Sequence, residues 1–201
     1  MPLAVLFPML LALQAALPVP PPASQGTAAI VAARGAGPGT VFRGRARELV
    51  VKPPRLDQAV TIDGALDEPA WNAAAVLTGF SQYAPQDGVP AADSTQVLVW
   101  YSPTAIHFGI RAFQAREQVH ATLADRDKVS QDDYVQILLG TFNDGRQASV
   151  FMVNPLGVQA DGVLLERGTA SVVAFGASAV QAREAPDLSP DFVFQSKGRL
   201  T

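Results

Sequence analysis

The sequence predicts an all-β fold, an antiparallel β-sandwich, over residues 49–201. From Leu49 onward, short apolar segments alternate with turn residues about every ten residues, which is typical of a sandwich. Helical patterns are few and short. The chain has no cysteine, which excludes disulfides, thiolate metal sites and cysteine nucleophiles. A single domain of this size buries enough apolar surface without such cross-links.

The first strands are predicted from β-prone runs bounded by turns. Ala59–Ile62 leads into the turn pair Asp63-Gly64. Thr95–Tyr101 is a strongly β-prone run that ends at Ser-Pro-Thr, and Ala105–Phe113 follows at once. The short turn between these two runs predicts a β-hairpin.

The same alternation of apolar segments and turn residues predicts a second hairpin and further strands. Tyr134–Phe142 ends at an Asn-Asp-Gly turn, and Gln147–Asn154 is predicted to pair with it. Gly157–Leu165 continues as another strand, and Phe192–Phe194 is a short strand near the carboxyl end. The chain stops soon after this strand, so we interpret the sandwich as incomplete at its carboxyl end.

Two short stretches carry a helical signal. Glu68–Ala75 is predicted to form two turns, with Asp67 as its N-cap and Pro69 in the first turn. Gln114–Leu123 is predicted to hold another short helical piece. Neither is long enough to change the fold class.

The amino-terminal region is predicted to lie outside the fold. Leu3–Leu17 is an uncharged, mostly apolar run, too short for a membrane span but suited to a signal-peptide core. We therefore predict a signal peptide over residues 1–25, with an incorrect gene start as the alternative. Residues 26–48 are rich in Ala, Gly and Arg and predict a flexible linker.

The distribution of charge argues against a nucleic-acid partner. Residues 1–55 carry six Lys or Arg against one acid, whereas the rest of the chain carries nine bases and 17 acids. A nucleic-acid-binding domain would show a basic patch or stripe in its globular part. The excess of acids in the globular part therefore indicates a partner other than nucleic acid.

Several strings resemble family 9 carbohydrate-binding modules. Residues 62–71 read Ile-Asp-Gly-Ala-Leu-Asp-Glu-Pro-Ala-Trp and are similar to the opening of that family. Val97–Gly109 is similar to its paired strands, and residues 132–134 and 141–146 match the start and the turn of its next hairpin. Val153–Asp161 resembles a subgroup found at the amino end of large bacterial proteins that continue into a predicted outer-membrane β-barrel.

The resemblance covers about residues 50–201 and carries its own implications. It implies a jelly-roll-like sandwich, a periplasmic or cell-surface location, and sugar binding. In the subgroup, the string at Ser189–Phe194 is followed by a further strand, so the chain is interpreted as truncated. The resemblance also implies a possible partner, an outer-membrane barrel domain.

Aromatic residues are the first candidates for a ligand site, because sugar rings stack on aromatic faces. Trp100, Tyr101 and Tyr134 are the predicted ligand-binding residues. Trp100 alternates with Val99 and Tyr101, so it faces the opposite side of its strand. Trp71 lies in an apolar setting and is interpreted as a core anchor.

Four carboxylates are candidates for a metal site. Asp125, Asp127, Asp132 and Asp133 lie close together in sequence, and oxygen ligands on a loop suit calcium. A structural calcium ion is thus the only cofactor that the sequence predicts. The alternative is a solvated charged loop, since the spacing lacks the glycine and closing glutamate of an EF-hand.

The sequence therefore predicts a non-catalytic carbohydrate-binding domain of an exported protein, with a role in polysaccharide breakdown or uptake. No nucleophile elbow, P-loop, dinucleotide fingerprint or zinc-binding helix motif occurs, which argues against an enzyme. The alternative function is a structural periplasmic module that packs on, or gates, an outer-membrane β-barrel without binding sugar.

Overall fold

The computed structural model of the chain describes residues 9–14, 39–165, 172–175, 178–181 and 185–201. The rest of the predicted signal peptide and residues 26–38 of the predicted linker lie outside this part. Within it, Met9–Gln14 is a strand in the segment predicted as a signal peptide, and Val41–Arg43 is a strand in the segment predicted as a linker.

Almost all of the regular secondary structure in the described chain is β-strand. The strands are β1 (Met9–Gln14), β2 (Val41–Arg43), β3 (Ala75–Thr78), β4 (Thr95–Tyr101), β5 (Ala105–Ala112), β6 (Val135–Leu139), β7 (Gln147–Val153), β8 (Gln159–Leu165), β9 (Val172–Phe175), β10 (Ser178–Gln181) and β11 (Phe194–Gly198). One α-helix, α1 (Pro69–Ala73), and two 3-10 turns (Gly44–Ala46 and Arg116–Gln118) complete it. The predicted all-β fold is confirmed.

The strands form two main sheets. One has the order β11-β1-β5-β4-β3-β2 and the other the order β6-β7-β8, while β9 and β10 pair with each other. The pairings are antiparallel except for β2 with β3, which is parallel. Both predicted hairpins are present, with Thr95 opposite Ala112 in one and Val135 opposite Val153 in the other.

A single apolar cluster, the main core, draws on both sheets. Its buried members are Val99, Phe108, Ile110, Val135, Phe151, Val153 and Phe194. They come from β4, β5 and β11 of the larger sheet and from β6 and β7 of the smaller one. A core shared between two sheets is what the predicted sandwich requires. The sandwich and its jelly-roll connectivity stay predictions.

Each sheet is also covered on its other face. The tryptophan cluster, made of Ala70, Trp71, Ala74, Leu98 and Trp100, packs on the outer face of the larger sheet. A third cluster, which includes Val150 and Met152, packs on the outer face of the smaller sheet. Alternate residues of β4 and β7 therefore reach different cores, and both strands are buried on both faces at their centres.

The helical predictions are only partly correct. The helix covers Pro69–Ala73, and its N-cap is Glu68, not Asp67, with no capping bond from a side chain. Within Gln114–Leu123, only the 3-10 turn at Arg116–Gln118 forms. No helix in the described ranges has the length and apolar character needed to cross a membrane.

Candidate ligand-binding site

Trp100 is a core residue and has no face free for a ligand. Its side chain is 0% exposed. Its ring stacks on His107 with centroids 3.9 Å apart, and it meets Trp71 edge-on at 5.9 Å. Sugar stacking needs an accessible ring face, so the expectation that Trp100 lines a ligand site is corrected. Its outward-facing position is buried because residues 56–76 cover that face of the sheet.

The motif at Ile62–Trp71 is engaged within the protein. The carboxylate of Glu68 accepts a hydrogen bond from Trp71 Nε1 and another from the backbone N–H of Thr61, each 2.9 Å long. Trp71 also lies so close to Gly109 that a Cβ there would approach its ring to 2.9 Å. The motif thus fastens the tryptophan cluster to β5, as predicted for Trp71.

His107 is buried beside this stack. Its Nε2 lies 3.4 Å from Ser102 Oγ, while its Nδ1 and Trp100 Nε1 have no hydrogen-bond partner among the described residues. Burial lowers the pKa of His107 below its ordinary value, because the charged imidazolium is poorly solvated there. The imidazole is therefore neutral at physiological pH.

Acidification is expected to destabilise the domain through His107. Because its folded-state pKa lies below 6.5, the unfolded chain binds the proton more readily as the pH falls. The stability linked to neutral His107 is complete above pH 6.5 and is lost as the pH falls through the folded-state pKa. Denaturant titrations between about pH 8 and about pH 5 measure this effect. His107→Gln should show a shallower fall over the same range, and equal slopes would contradict the prediction.

The two predicted tyrosines do not share a site with Trp100. Tyr101 ends β4 and is exposed. Its parity along the strand matches Val99 in the main core, not Trp100 in the tryptophan cluster. Tyr134 is half-buried against the third cluster, on the outer face of the other sheet. The three residues are thus distributed over three surfaces.

Asn154 is the centre of a buried polar network. Its Nδ2 donates to the carbonyl oxygen of Thr122 and to Asp132 Oδ2, both at 2.8 Å. Its Oδ1 accepts from the backbone N–H groups of Leu156 and Val158, at 3.0 and 2.8 Å. All four hydrogen-bonding positions of this amide are satisfied. Asn154 therefore fixes the loop that precedes β6 to the turn between β7 and β8.

One of the four predicted calcium ligands, Asp132, belongs to this network, and Asp133 is its neighbour in sequence. Asp132 also accepts bonds from the N–H and hydroxyl of Thr122. Burial disfavours its ionised form, but the hydrogen bonds from Asn154 and Thr122 outweigh burial and hold its pKa below the ordinary value. Burial raises the pKa of Asp133, and a bond from the His120 backbone offsets only part of that rise.

The other two carboxylates point to separate partners. Asp125 pairs with Lys128 at 2.9 Å, and Asp127 Oδ1 lies 3.4 Å from the backbone N–H of Asp161. In the parts of the chain that are described, no three His, Cys, Asp or Glu side chains gather into a group able to hold a metal. The four aspartates thus do not fit a common calcium site.

An ion pair between half-exposed Arg126 and buried Asp161 holds the carboxyl-terminal segment. Asp161 is 1% exposed, and its carboxylate binds Arg126 and the backbone N–H of Phe192. Arg126 Nη1 donates to Gln159 Oε1 at 3.0 Å, and Nη2 donates to the carbonyl oxygen of Phe192 at 3.1 Å. These contacts explain why the last strand begins at Phe194 and not at the predicted Phe192.

Two exposed aromatic residues lie at one end of the larger sheet. Phe80 follows the end of β3 and is 38% exposed, and Phe113 follows the end of β5 and is 55% exposed. The carbonyl of Phe80 accepts from Ala91 N–H, and Phe113 N–H donates to the carbonyl of Ser94. Both aromatics therefore flank the start of β4, two strand spacings or about 10 Å apart.

Polar groups lie beside these rings. Arg111 is two residues before Phe113 and so shares its side of the strand. Arg111 Nη1 donates to Gln96 Oε1 at 3.0 Å, which aligns two planar polar groups across β4 and β5. We call Phe80, Gln96, Arg111 and Phe113 the aromatic rim.

The aromatic rim is the best candidate site in the described chain. Rings with exposed faces, set beside a small number of fixed donors and acceptors, are the usual means of binding a sugar. Sequence reasoning missed these residues because Phe80 and Phe113 are 33 positions apart. The one available signal was parity, since Phe113 is out of phase with Ile106, Phe108 and Ile110 on the core face.

No protein-family model, no curated protein and no solved structure matches this chain. The candidate site therefore depends on geometry alone.

Proposed function

We propose that this chain is a non-catalytic carbohydrate-binding domain of an exported bacterial protein, and that the aromatic rim is its ligand site. The observation that carries the proposal is the exposure of Phe80 and Phe113 at one end of a rigid sheet, beside the Arg111–Gln96 pair. In this account a sugar ring stacks on an aromatic face, and the pair binds its hydroxyl groups. The domain would act in the periplasm or at the cell surface, in polysaccharide breakdown or uptake.

The roles of the buried carboxylates support a non-catalytic function. A glycosidase needs two carboxylates that face a shared cleft at a separation of about 5 to 10 Å. Asp132 and Asp161 instead bind protein donors in separate networks. Glu68 is likewise engaged by Thr61 and Trp71. These three acids therefore hold the fold together.

Removing either exposed ring is expected to weaken glycan binding. We expect Phe80→Ala and Phe113→Ala each to raise the dissociation constant by about two- to tenfold, because an aromatic contact contributes about 0.5–1.5 kcal/mol. Calorimetry or affinity electrophoresis against a panel of soluble glycans measures this. Parallel runs with calcium and with a chelator also test the predicted ion.

Phe142→Ala is the matched control. Phe142 is 67% exposed, but it lies in the turn between β6 and β7 of the other sheet. The Phe142→Ala variant should bind glycans with the same affinity as the parent chain. Equal loss of affinity in the control and in the rim variants would contradict the assigned site. Absence of binding to every glycan by a folded sample would contradict the function.

The second candidate is a structural module that packs on an outer-membrane barrel. It is favoured by the burial of both tryptophans and by two exposed apolar side chains, Leu123 and Val193. They lie on neighbouring segments, because Arg126 Nη2 donates to the carbonyl oxygen of Phe192. A folded domain that binds no glycan would support this function.

A further inference from the structure

The amino-terminal strand β1 lies inside the larger sheet, between β5 and β11. It pairs with β5 from Met9 opposite Ile110 to Gln14 opposite Ala105, and with β11 from Met9 opposite Gly198 to Leu13 opposite Phe194. No other described strand pairs with β11. We propose that the space between β5 and β11 is a strand-binding slot and that Met9–Gln14 is its occupant. This inference is independent of glycan binding.

The β5 side of the slot is fixed without β1. β5 pairs with β4 along seven residues, from Ala112 opposite Thr95 to Ile106 opposite Tyr101. Phe108 and Ile110 are buried in the main core. This wall therefore keeps its position whether or not the slot is filled.

The β11 side is also fixed by contacts outside its own sheet. Phe194 belongs to the main core and meets Phe151 edge-on at 5.3 Å. Ser196 accepts a hydrogen bond of 2.8 Å from Gln159 Nε2 on β8. Gly198 lies against the backbone of Pro155, where a Cβ would not fit. Both walls are thus preformed, and their facing N–H and C=O groups need a strand between them.

The occupant of such a slot must be apolar on both faces. On one face, Phe108 and Phe194 line the main core. On the other, Gly109 lies against Leu66 and Trp71. A strand that is covered on both faces reads as a continuous apolar run and does not alternate. Met-Leu-Leu-Ala-Leu-Gln at 9–14 is such a run.

This placement gives the predicted signal peptide a second role. Cleavage at the predicted end of the signal peptide would separate β1 from the domain. The slot then keeps the released segment, which stays paired with β5 and β11 as an added strand. In the uncut chain, Met9–Gln14 completes the sheet and shields two strand edges from association.

Disulfide trapping in the full chain tests the placement of β1. The chain contains no cysteine, so engineered pairs have no competitors. Ala12→Cys with Gln195→Cys and Leu11→Cys with Ser196→Cys join residues that are opposite each other in the register. Opposite residues in an antiparallel pair have Cα atoms about 5 Å apart, within reach of a disulfide. Ala12→Cys with Arg146→Cys, on a turn of the other sheet, is the control.

At least one slot pair should cross-link faster than the control in native buffer, and the difference should vanish in denaturant. Opposite residues along an antiparallel pair of strands alternate between hydrogen-bonded pairs and closer, non-hydrogen-bonded pairs. The two slot pairs are adjacent, so one of them is the closer kind. If neither pair cross-links faster than the control, β1 does not occupy the slot and the proposal is wrong.

A second experiment measures retention of the strand after cleavage. A site for a specific protease is inserted between Ala33 and Arg34 of the full chain, and the cut sample is passed over a sizing column. The amino-terminal fragment should co-elute with the domain. Leu11→Pro should weaken retention by about tenfold or more, because it removes at least one ladder hydrogen bond. Ala28→Pro, outside β1, is the control.

A synthetic peptide of residues 7–16 should compete with the fragment for the slot. Immediate separation of the fragment in the parent chain would overturn the proposal. Equal retention of the parent and Leu11→Pro fragments would also overturn it, since it would show that retention does not depend on strand pairing.

Discussion

Replacement of Asn154 with alanine is expected to lower the free energy of unfolding by about 3–5 kcal/mol. The substitution removes both donors and the acceptor of a fully buried amide. Asp132 Oδ2 and the N–H groups of Leu156 and Val158 then lose their shared partner in the interior. Buried polar groups without partners are costly, because they have given up water and gained nothing in return.

Equilibrium unfolding in urea measures the change. Asn72→Ala is the matched control, since Asn72 is exposed on α1 and its side chain donates no hydrogen bond to another described residue. The Asn72→Ala variant should differ from the parent chain by less than about 0.5 kcal/mol in free energy of unfolding. A loss of under about 1 kcal/mol in Asn154→Ala would show that the loop before β6 does not depend on this network.

Truncation of Trp100 is expected to be equally severe. Trp100→Ala should destabilise the domain by about 3–5 kcal/mol, because it opens a large cavity at a site with no exposed surface. The edge contact with Trp71 and the stack on His107 are lost together. The urea concentration at the midpoint of unfolding should fall, and the near-ultraviolet circular dichroism signal should weaken.

Tyr101→Ala is the control for Trp100→Ala. Tyr101 is the next residue on the same strand, but it is exposed, so its removal should change stability by about 1 kcal/mol or less. A well-folded Trp100→Ala variant would contradict the burial described above. The comparison also guards against a misinterpretation, since glycan binding lost in Trp100→Ala would reflect unfolding and not a missing contact.

Of the eleven strands in the described chain, β4 to β8 were predictable from the sequence, whereas the segment Ala59–Ile62, predicted as a strand, does not form one. The bounds of β4 were predicted as observed, and β5, β7 and β8 were predicted within two residues. Each of these strands has a β-prone composition and a turn at one or both ends, so local physics fixes both its type and its limits. The all-β fold follows from these elements without knowledge of the core.

Burial on the second face was not predictable in the same way. The alternation of side chains along β4 correctly placed Trp100 on the opposite face from Val99 and Tyr101. This alternation cannot show whether the outer face of a sheet is open or covered. Residues of the Ile62–Trp71 motif cover it here, through contacts between segments about 30 residues apart. Asp132 was assigned to a metal for a related reason, because its partner Asn154 lies 22 positions away.

The aromatic rim and the place of β1 in the sheet were even harder to predict from the sequence. Phe80 and Phe113 come together only through the register of β3, β4 and β5. The apolar run that contains Met9–Gln14 has the composition of both a signal-peptide core and a strand buried on two faces. Its place between β5 and β11 is visible only in the structure.

The most direct test of the proposed function is a chemical-shift titration of the isotopically labelled full chain with soluble glycans. The account predicts that the perturbed amides cluster around Phe80, Gln96, Arg111 and Phe113 and that saturation is reached at one site. Perturbations centred on Tyr101, Tyr134 or Phe142, or a folded spectrum that no glycan changes, would contradict it.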